Sequence, residues 1–490
     1  MNNLSGKLRE DMAFYCVILI IFRIKKLSTY IKFSGIFMST LMVSISGIRG
    51  IVGESLTPEV LVKYTSAFAD FVKKGKVVIG RDARITGDMV SSIVTSTLLA
   101  KGIDVIDIGI CPTPTVQLTV NKLKAQGGIA ISASHNPNEW NALKLLNKTG
   151  QFMTPEENRQ LKKLLPSANK NYNPWNKIGT RTDYKEGIKD HVSSVLNLKN
   201  IQRSKIRRRK FKILVDCVNG AGVYVIPDLL RKFGCEVIEM NCERTGIFPR
   251  LPEPIPQNLK KTMKAVKDCK ADLGVVVDPD VDRLVLITEE GKPFSEENTI
   301  AQAVKFILSK QKGNVVVNLS TTRAIDDIAA KYGVKVFRSE VGEANVVKKM
   351  KQVKAVIGGE GSGGVIYPTL HYGRDALVGI AITLQHLLEF GGKLSELKNS
   401  LPQYFILKEK IDISESKISA DKIIKSLAKK YKNEKLNTAD GLRIDFQKSW
   451  VHIRKSNTEP ILRIIAEGKT KRQTEKLIYN LQLTMKDIRI

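Results

Sequence analysis

The stretch LGVVVDPDVDR, from Leu273 to Arg283, joins a continuous apolar run to three closely spaced carboxylates. Such a run is typical of a strand that is buried on both faces of a parallel sheet. Asp278, Asp280 and Asp282 follow it directly, and clustered carboxylates suit a hard cation such as Mg²⁺. We therefore expect a metal loop, with Arg283 placed to hold a phosphate oxygen. The alternative is an acidic turn leading into a hairpin, because the residues that follow are also strand-like.

Short apolar runs alternate with helical segments on both sides of this loop, and helices are predicted at 87–100, 221–233 and 376–390. The alternation begins near residue 42 and restarts near residues 211 and 297. The last part of the chain has three closely spaced strand candidates before a Lys-rich helix, which indicates an α+β unit. The predicted fold class is α/β: three α/β domains with mixed sheets and a C-terminal α+β domain. The predicted domains are residues 42–200, 201–296, 297–404 and 405–490, after an N-terminal extension at 1–41.

The composition indicates a globular protein with a basic balance. The 490 residues are 42% hydrophobic, and the formal net charge is +30. Excess positive charge favours anionic partners, either nucleic acid or phosphorylated small molecules. The basic run at 203–210 is either a nucleic-acid patch or, as we prefer, a charged linker between domains. The apolar run at 14–22 is too short for a bilayer, which takes about 20 residues. Residues 1–41 belong to the mature protein or are an artefact of start-codon choice.

A second loop, SASHNP at 132–137, follows a glycine-rich strand. A serine at the carboxyl end of a parallel strand lies where open α/β sheets bind ligands. Asn136 and Pro137 end the strand and force a turn. The loop is therefore either a plain turn or a segment that presents Ser134 for phosphorylation.

A third loop, GGEGSGG at 358–364, also follows a predicted strand. Its glycines allow close approach of a ligand to the backbone, and Glu360 and Ser362 can bond to sugar hydroxyls. His371, Arg374 and Asp375 follow closely enough to line the same site. A glycine-rich loop without a ligand is the alternative.

A fourth loop, RKSNTEP at 454–460, combines an arginine with neutral hydrogen-bonding side chains. Arginine presents forked donors that match a phosphate group. The loop is therefore either a phosphate clamp or a polar hairpin turn. The residues that would form the clamp are Arg454, Ser456, Asn457, Thr458 and Arg463.

In this order, the four loops resemble those of the α-D-phosphohexomutase superfamily. This superfamily includes phosphoglucomutase, phosphomannomutase, phosphoglucosamine mutase and phosphoacetylglucosamine mutase. The resemblance extends from about Val43 to the C-terminus, and the loops match the patterns T/S-A-S-H-N-P, D-x-D-x-D-R, G-E-x-S-G and R-x-S-N-T-E-P. It implies three related α/β domains and a C-terminal domain around a deep central cleft.

The resemblance also implies roles for single residues. Phosphorylated Ser134 would be the phosphoryl donor, and one of its phosphate oxygens would join Asp278, Asp280 and Asp282 around Mg²⁺. Arg49 matches an active-site arginine of the family, and Lys144 matches a lysine that assists proton transfer. The implied substrate-binding residues are Arg283, Glu360, Ser362, Arg374, Arg454, Ser456, Asn457, Thr458 and Arg463.

One departure from the family pattern concerns proton transfer. Many members have a histidine with an acid–base role where this chain has Gly364, so either another group, such as Lys144 or His135, would have to serve instead or the proton relay differs. The form GGEGSGG, followed by Gly373-Arg374-Asp375, resembles the branch assigned as phosphoglucosamine mutase in archaea and some bacteria.

The expected function is interconversion of hexose 6-phosphate and hexose 1-phosphate through phosphoserine and a hexose 1,6-bisphosphate, which also serves as the activator. Phosphoglucosamine mutase is the leading expectation, and phosphomannomutase/phosphoglucomutase is the alternative. A non-catalytic sugar-phosphate or nucleic-acid binder is a remote third reading. We expect a small-molecule sugar phosphate as partner, no nucleic acid, no membrane, a monomer or homodimer, and a cytoplasmic location.

Overall fold

The computed structural model describes residues 40–44, 47–414, 418–455 and 461–489. The N-terminal apolar run and the predicted clamp residues Ser456, Asn457 and Thr458 lie outside this range. Within the described residues, no helix combines the length and the apolar character that crossing a membrane requires.

The first sheet has seven strands in the order β1-β2-β6-β5-β3-β4-β7. Pairing is parallel from β5 through β3 and β4 to β7, and antiparallel elsewhere. Alternate residues of β3 pack on opposite faces: Val77 and Ile79 belong to one buried cluster and Val78 to another. The strands are β1 (Met42–Ser44), β2 (Gly47–Ile51), β3 (Lys76–Arg81), β4 (Asp104–Ile110), β5 (Gly127–Ile131), β6 (Trp140–Asn147) and β7 (Arg181–Asp183). Its helices are Pro58–Val72, Gly87–Ala100, Thr113–Lys122 and Pro155–Leu164.

The second and third sheets repeat one plan, with three parallel strands and one antiparallel strand at the edge. Their orders are β11-β10-β8-β9 and β13-β12-β14-β15. The strands are β8 (Lys212–Asp216), β9 (Glu236–Met240), β10 (Leu273–Val277), β11 (Leu284–Thr288), β12 (Val315–Asn318), β13 (Val336–Ser339), β14 (Ile357–Glu360) and β15 (Gly364–Ile366). The helices are Gly187–Leu196, Arg203–Arg209, Ile226–Lys232, Lys260–Asp268, Glu296–Lys310, Ala324–Lys331, Glu343–Val353, Ala376–Phe390 and Leu394–Asn399. One buried cluster includes residues of both sheets, so the two share a core.

The C-terminal sheet is antiparallel throughout, in the order β16-β20-β19-β18-β17. Its strands are β16 (Phe405–Asp412), β17 (Lys435–Asn437), β18 (Leu442–Asp445), β19 (Trp450–Lys455) and β20 (Ile461–Gly468), and its helices are Ala420–Lys430 and Lys471–Arg489. The predicted fold class, α/β with mixed sheets and a C-terminal α+β domain, is confirmed.

Two segments differ from expectation. The basic run at 203–210 forms a helix, Arg203–Arg209, because Ile206 is fully buried and anchors it to the core. A single helix was expected at 221–233, but a 3-10 turn at Ala221–Tyr224 precedes a separate helix at Ile226–Lys232. Pro227 explains the break, since proline is suited to a first helical turn and not to an interior.

The four predicted loops occupy equivalent places in the four sheets. Each connects two strands that pair antiparallel: β5 to β6, β10 to β11, β14 to β15, and β19 to β20. In the first three sheets, the loop begins at the carboxyl end of a parallel strand, where open α/β sheets bind ligands. The hairpin and ligand-loop interpretations of the aspartate stretch are therefore compatible.

Candidate active site

A cleft with a cavity of about 350 Å³ receives side chains from all four sheets. Most of the predicted site residues lie on its wall. They are Arg49, Ser134, His135, Lys144, Arg283, Glu360, Ser362, Arg374, Arg454 and Arg463. The cleft also includes residues that no sequence motif indicated: Glu297, Ser320, Glu343, Lys408 and His452.

Ser134 lies at the centre of the SASHNP loop at 132–137, named the serine loop. Its φ is positive, at 50°, which is uncommon for a residue other than glycine. Its Oγ donates a hydrogen bond to Asp278 Oδ2 at 2.8 Å, and its N–H donates to Ser132 Oγ at 2.9 Å. Ser134 is thus fixed both at its backbone and at its hydroxyl oxygen. The serine loop and the metal loop at 278–283, which come from different sheets, meet at this contact.

The loop is held from beneath by Arg84, a residue that sequence reasoning missed. Its guanidinium donates to the carbonyl oxygens of Ser134 at 2.6 Å, Asn136 at 2.8 Å and Pro137. Its Nε pairs with Asp82 Oδ2 at 3.0 Å, and both side chains are fully buried. Both residues lie in the segment 82–84, which directly follows strand β3 as the other loops follow their strands. This position after a strand was the one feature of the sequence that could have indicated them.

The three aspartates of the metal loop are fully buried and offer oxygens within 4.8 Å of one another. Burial, followed by repulsion from Asp282 and Asp280, raises the pKa of Asp278 well above its usual value. Asp280 Oδ1 and Asp282 Oδ1 have no hydrogen-bond partner among the described residues. Buried carboxylates with unused oxygens are costly without a cation. The site therefore fits a metal ion.

Cationic side chains surround the two loops. Lys144 Nζ donates to Asp280, and although burial opposes its charge, Asp280 and Asp282 outweigh burial and raise the pKa of Lys144. Arg49 donates to Asn136 Oδ1 at 2.7 Å. Arg283 lies on the cleft wall with its Nε 3.8 Å from Asp282 Oδ1.

His135 is the titratable group beside the serine hydroxyl. Its Nδ1 lies 3.4 Å from Ser134 Oγ. The positive charge of Arg283, followed by burial and Arg49, lowers the pKa of His135 well below its usual value. The imidazole is therefore neutral near pH 7.

The GGEGSGG loop at 358–364, named the sugar loop for its predicted role, contributes Glu360 to an acidic wall of the cleft. Glu360 Oε1 accepts hydrogen bonds from Asn318 Nδ2 at 2.8 Å and from the Gly342 N–H at 2.9 Å. Glu343 and Glu297 also line this part of the cleft. Arg374 bonds to both Glu360 and Glu343. His371 and Asp375 are absent from the cleft wall within the described residues, because both turn into a buried contact with His191.

The fourth sheet contributes a basic wall. Arg454 is held by Asp440, with its Nε 2.9 Å from Oδ1, and Arg463 and Lys408 lie on the cleft nearby. His452 Nε2 donates to the Asp440 carbonyl at 2.6 Å, so its Nδ1 accepts from Ser320 Oγ at 2.9 Å. Burial lowers the pKa of His452 to about 4, which keeps it neutral. These cations suit a phosphate group.

Comparisons with known proteins agree with this layout. Four domain models described as phosphoglucomutase/phosphomannomutase match in order: α/β/α domain I at 41–171, domain II at 189–291, domain III at 296–405 and the C-terminal domain at 409–480. A crystal structure of a phosphoglucomutase/phosphomannomutase family protein from Burkholderia thailandensis is 24% identical, with a TM-score of 0.80 over 91% of this chain and 98% of that one. This likeness concerns the fold alone.

Two curated relatives cover nearly the whole chain. A phosphoglucomutase/phosphomannomutase from Thermococcus kodakarensis is 38% identical over 88% of this chain and 95% of its own length. A probable phosphoglucosamine mutase from Methanopyrus kandleri is 35% identical with the same coverage of both chains. The chain therefore belongs to the phosphoglucomutase/phosphomannomutase family, within the α-D-phosphohexomutase superfamily, and is a phosphohexomutase, an isomerase.

Proposed function

We propose that this enzyme interconverts glucosamine 6-phosphate and glucosamine 1-phosphate through phosphorylated Ser134 and an enzyme-bound 1,6-bisphosphate. The observation that carries the proposal is the contact of Ser134 Oγ with Asp278 in a cleft whose far wall is basic. A nucleophile beside a carboxylate cluster suits phosphoryl transfer, in which positioning and charge stabilisation supply most of the catalysis. A basic wall suits a substrate that briefly has two phosphates.

The proposed reaction consists of two balanced half-reactions. In the first, the P–Oγ bond of phospho-Ser134 breaks as a P–O bond forms to the free hydroxyl of the sugar phosphate. The sugar hydroxyl loses one proton, and Ser134 Oγ gains one as it becomes a hydroxyl. In the second, the bisphosphate presents its other phosphate: the P–O bond to the sugar breaks as a P–Oγ bond forms, Ser134 Oγ loses its proton, and the released sugar oxygen gains one. A hexose 1,6-bisphosphate from solution would prime the serine by the same second step.

Asp278, Asp280 and Asp282, with a phosphate oxygen on Ser134, would hold the metal ion, and we propose Mg²⁺ because all the donors are hard oxygens. A bound divalent cation stabilises negative charge on a phosphoryl group as it moves. Lys144 holds Asp280 in place, and its ammonium adds a positive charge at the centre of the cleft.

Two groups are candidates for handling the proton. Neutral His135 has a ring nitrogen near Ser134 Oγ, and Lys144 lies on the other side, bonded to Asp280. Comparison of His135→Gln and Lys144→Gln separates them. The true acceptor is the residue whose loss lowers kcat and removes one limb of the pH–rate profile, whereas loss of the other lowers the rate without changing the profile's shape.

The non-reacting phosphate would bind the basic wall. Arg454, Arg463 and Lys408 line that part of the cleft, and the hydrogen bond that Arg454 Nε donates to Asp440 Oδ1 orients the guanidinium. We propose that Ser456, Asn457 and Thr458, which connect the strands of Arg454 and Arg463, complete the clamp. Arg49 and Arg283 would contact the reacting phosphate, and Glu360 and Ser362 the sugar hydroxyls.

The preference for an aminosugar rests on the acidic wall. Glu343 and Glu360 line one part of the cleft, whereas its phosphate-binding part is basic. A protonated amine on the sugar is favoured beside carboxylates. The name of the Methanopyrus kandleri relative points the same way. The name of the Thermococcus kodakarensis relative favours the second candidate, phosphoglucomutase/phosphomannomutase activity.

The experiment is a comparison of kcat/KM for the 1-phosphates of glucosamine, glucose and mannose, with Mg²⁺ and a hexose 1,6-bisphosphate present. The aminosugar proposal expects glucosamine 1-phosphate to exceed the other two by at least ten-fold. A higher value for glucose or mannose would assign the second candidate instead. We further propose a monomer or homodimer that acts in the cytoplasm on small-molecule sugar phosphates, with neither nucleic acid nor membrane as partner.

A further inference from the structure

Arg374 connects three carboxylates that come from three different segments. Its Nε donates to Glu343 Oε2 at 3.1 Å, one terminal nitrogen to Glu360 Oε2 at 2.7 Å, and the other to Asp282 Oδ2 at 2.6 Å. Asp282 belongs to the metal loop, Glu360 to the sugar loop, and Glu343 to the first turn of the helix Glu343–Val353. All three acceptors are buried. One planar fork therefore sets the distance between the two loops.

The position of Arg374 depends on the absence of a side chain at Gly364. A Cβ at residue 364 would lie 2.3 Å from Arg374 Cδ and 2.9 Å from its Cγ. The backbone of Arg374 is also fixed, because it bridges to Ile366 two residues beyond Gly364 on β15. Gly364 and Arg374 therefore form one unit: the glycine leaves the room that the arginine stem fills.

We propose that Arg374 is a positioning residue that couples the sugar loop to the metal loop, and that Gly364 is required because it leaves room for Arg374. This proposal rests on the proposed function, since it assigns a sugar to Glu360 and a metal to Asp282. Arg374 acts through these two carboxylates. A sugar that binds at Glu360 is thereby held at a fixed distance from the metal ligands.

The charge of Arg374 gives a way to distinguish a positioning role from a role that only supports the fold. Its guanidinium would share Asp282 with a bound metal ion, so it would oppose metal binding electrostatically while it orients that carboxylate. Loss of the contact should lower turnover and strengthen Mg²⁺ binding together. A residue that only supported the fold would weaken both when removed.

The first test uses Gly364→Ala, which retains every charged group and therefore leaves no unpaired carboxylate by deletion. The added methyl group must displace Arg374. We expect kcat for the sugar phosphate to fall at least ten-fold and the Mg²⁺ dissociation constant, measured by calorimetry, to fall at least three-fold. Gly187→Ala is the control, because its Cβ would make only ordinary van der Waals contacts, at 3.5 Å or more, outside the cleft and should change neither value. Wild-type turnover and Mg²⁺ affinity in Gly364→Ala would overturn the proposal.

The second test introduces Gly364→Ala into three backgrounds, the wild type, Arg374→Lys and Arg374→Ala, and compares the midpoints of thermal unfolding in EDTA. Lysine keeps the Cγ and Cδ atoms, so the alanine should still lower the midpoint, whereas Arg374→Ala vacates the space and should remove that loss. Equal losses in all three backgrounds would contradict the steric coupling. If Arg374→Ala does not fold, Gly364→Ala and Arg374→Lys still decide the question through Mg²⁺ affinity. If the wild type fails to turn over hexose phosphates, the proposed function fails, while these unfolding and binding measurements still judge Arg374.

Discussion

Replacement of Arg84 by methionine tests how the serine loop is held. Methionine retains an unbranched apolar stem but removes the guanidinium that binds the carbonyl oxygens of Ser134, Asn136 and Pro137. It also leaves the carboxylate of Asp82 buried without its cation. We therefore expect both a loss of stability and a loss of activity in the molecules that remain folded.

The magnitudes follow from these contacts. Removal of one partner of a buried ion pair costs about 3–5 kcal/mol, because the other charge stays buried. Asp82 keeps a hydrogen bond from Ser132 Oγ at 2.6 Å, so we expect the lower part of that range. Displacement of a reacting group by about 1 Å lowers the rate by about 100-fold. The double variant D82N/R84M should regain part of the stability but none of the activity.

The assay combines the free energy of unfolding from urea titration with kcat and KM at a temperature where all variants are folded. Arg250→Met is the matched control, because Arg250 pairs with buried Asp216 at 3.0 Å and neither residue lies on the cleft. We expect a similar stability loss in that control with an unchanged kcat. If Arg84→Met and Arg250→Met change kcat alike, the reasoning about the serine loop is refuted.

Three further predictions concern the charged groups of the cleft. Burial raises the pKa of Glu297 to about 8, so its contribution to stability is full below about pH 4.5 and is lost as the pH rises toward 8. Glu297→Gln should flatten this decline in the urea unfolding midpoints measured from pH 5 to pH 9. An unchanged slope would contradict the raised pKa of Glu297. Mg²⁺ at 100-fold excess over its dissociation constant should raise the melting temperature of the wild type by an amount equivalent to about 2.7 kcal/mol. Asp282→Asn should remove most of that rise. An equal rise in both proteins would exclude the metal loop as the metal site. Asp278→Asn should stabilise the metal-free protein, because it relieves repulsion among buried carboxylates, and a lower unfolding free energy in EDTA would refute this.

The sequence predicted elements well where local pattern and burial agree. The apolar run at 273–277 is a fully buried strand, and the helices expected at 87–100 and 376–390 have the predicted bounds. The strand Trp140–Asn147, which contains Lys144, was not predicted. Two of its buried polar residues have partners that are distant in sequence: Asn141 bonds to Thr86, and Lys144 is paired with Asp280. Periodicity over a short window does not include such partners.

The candidate site shows the same division. The four loops were recognised because their residues are contiguous. Lys408, Ser320 and His452 were not, because they enter the cleft from strands and turns without a local motif. Arg374 was expected to contact substrate, and only the structure shows that its donors engage three protein carboxylates. Pairing between distant segments depends on the fold, so it cannot be predicted from the local pattern of a single sequence.

The central claim is that Ser134 is the phosphoryl carrier, and intact mass measured before and after mixing with substrate tests it most directly. Wild-type protein treated with a hexose 1,6-bisphosphate should be heavier by one phosphoryl group, and glucosamine 6-phosphate should remove that group within one turnover. Ser134→Ala should show neither change and should not interconvert the sugar phosphates. Equal turnover by the wild type and Ser134→Ala, or a phosphoryl group on the wild type that substrate cannot remove, would contradict the account.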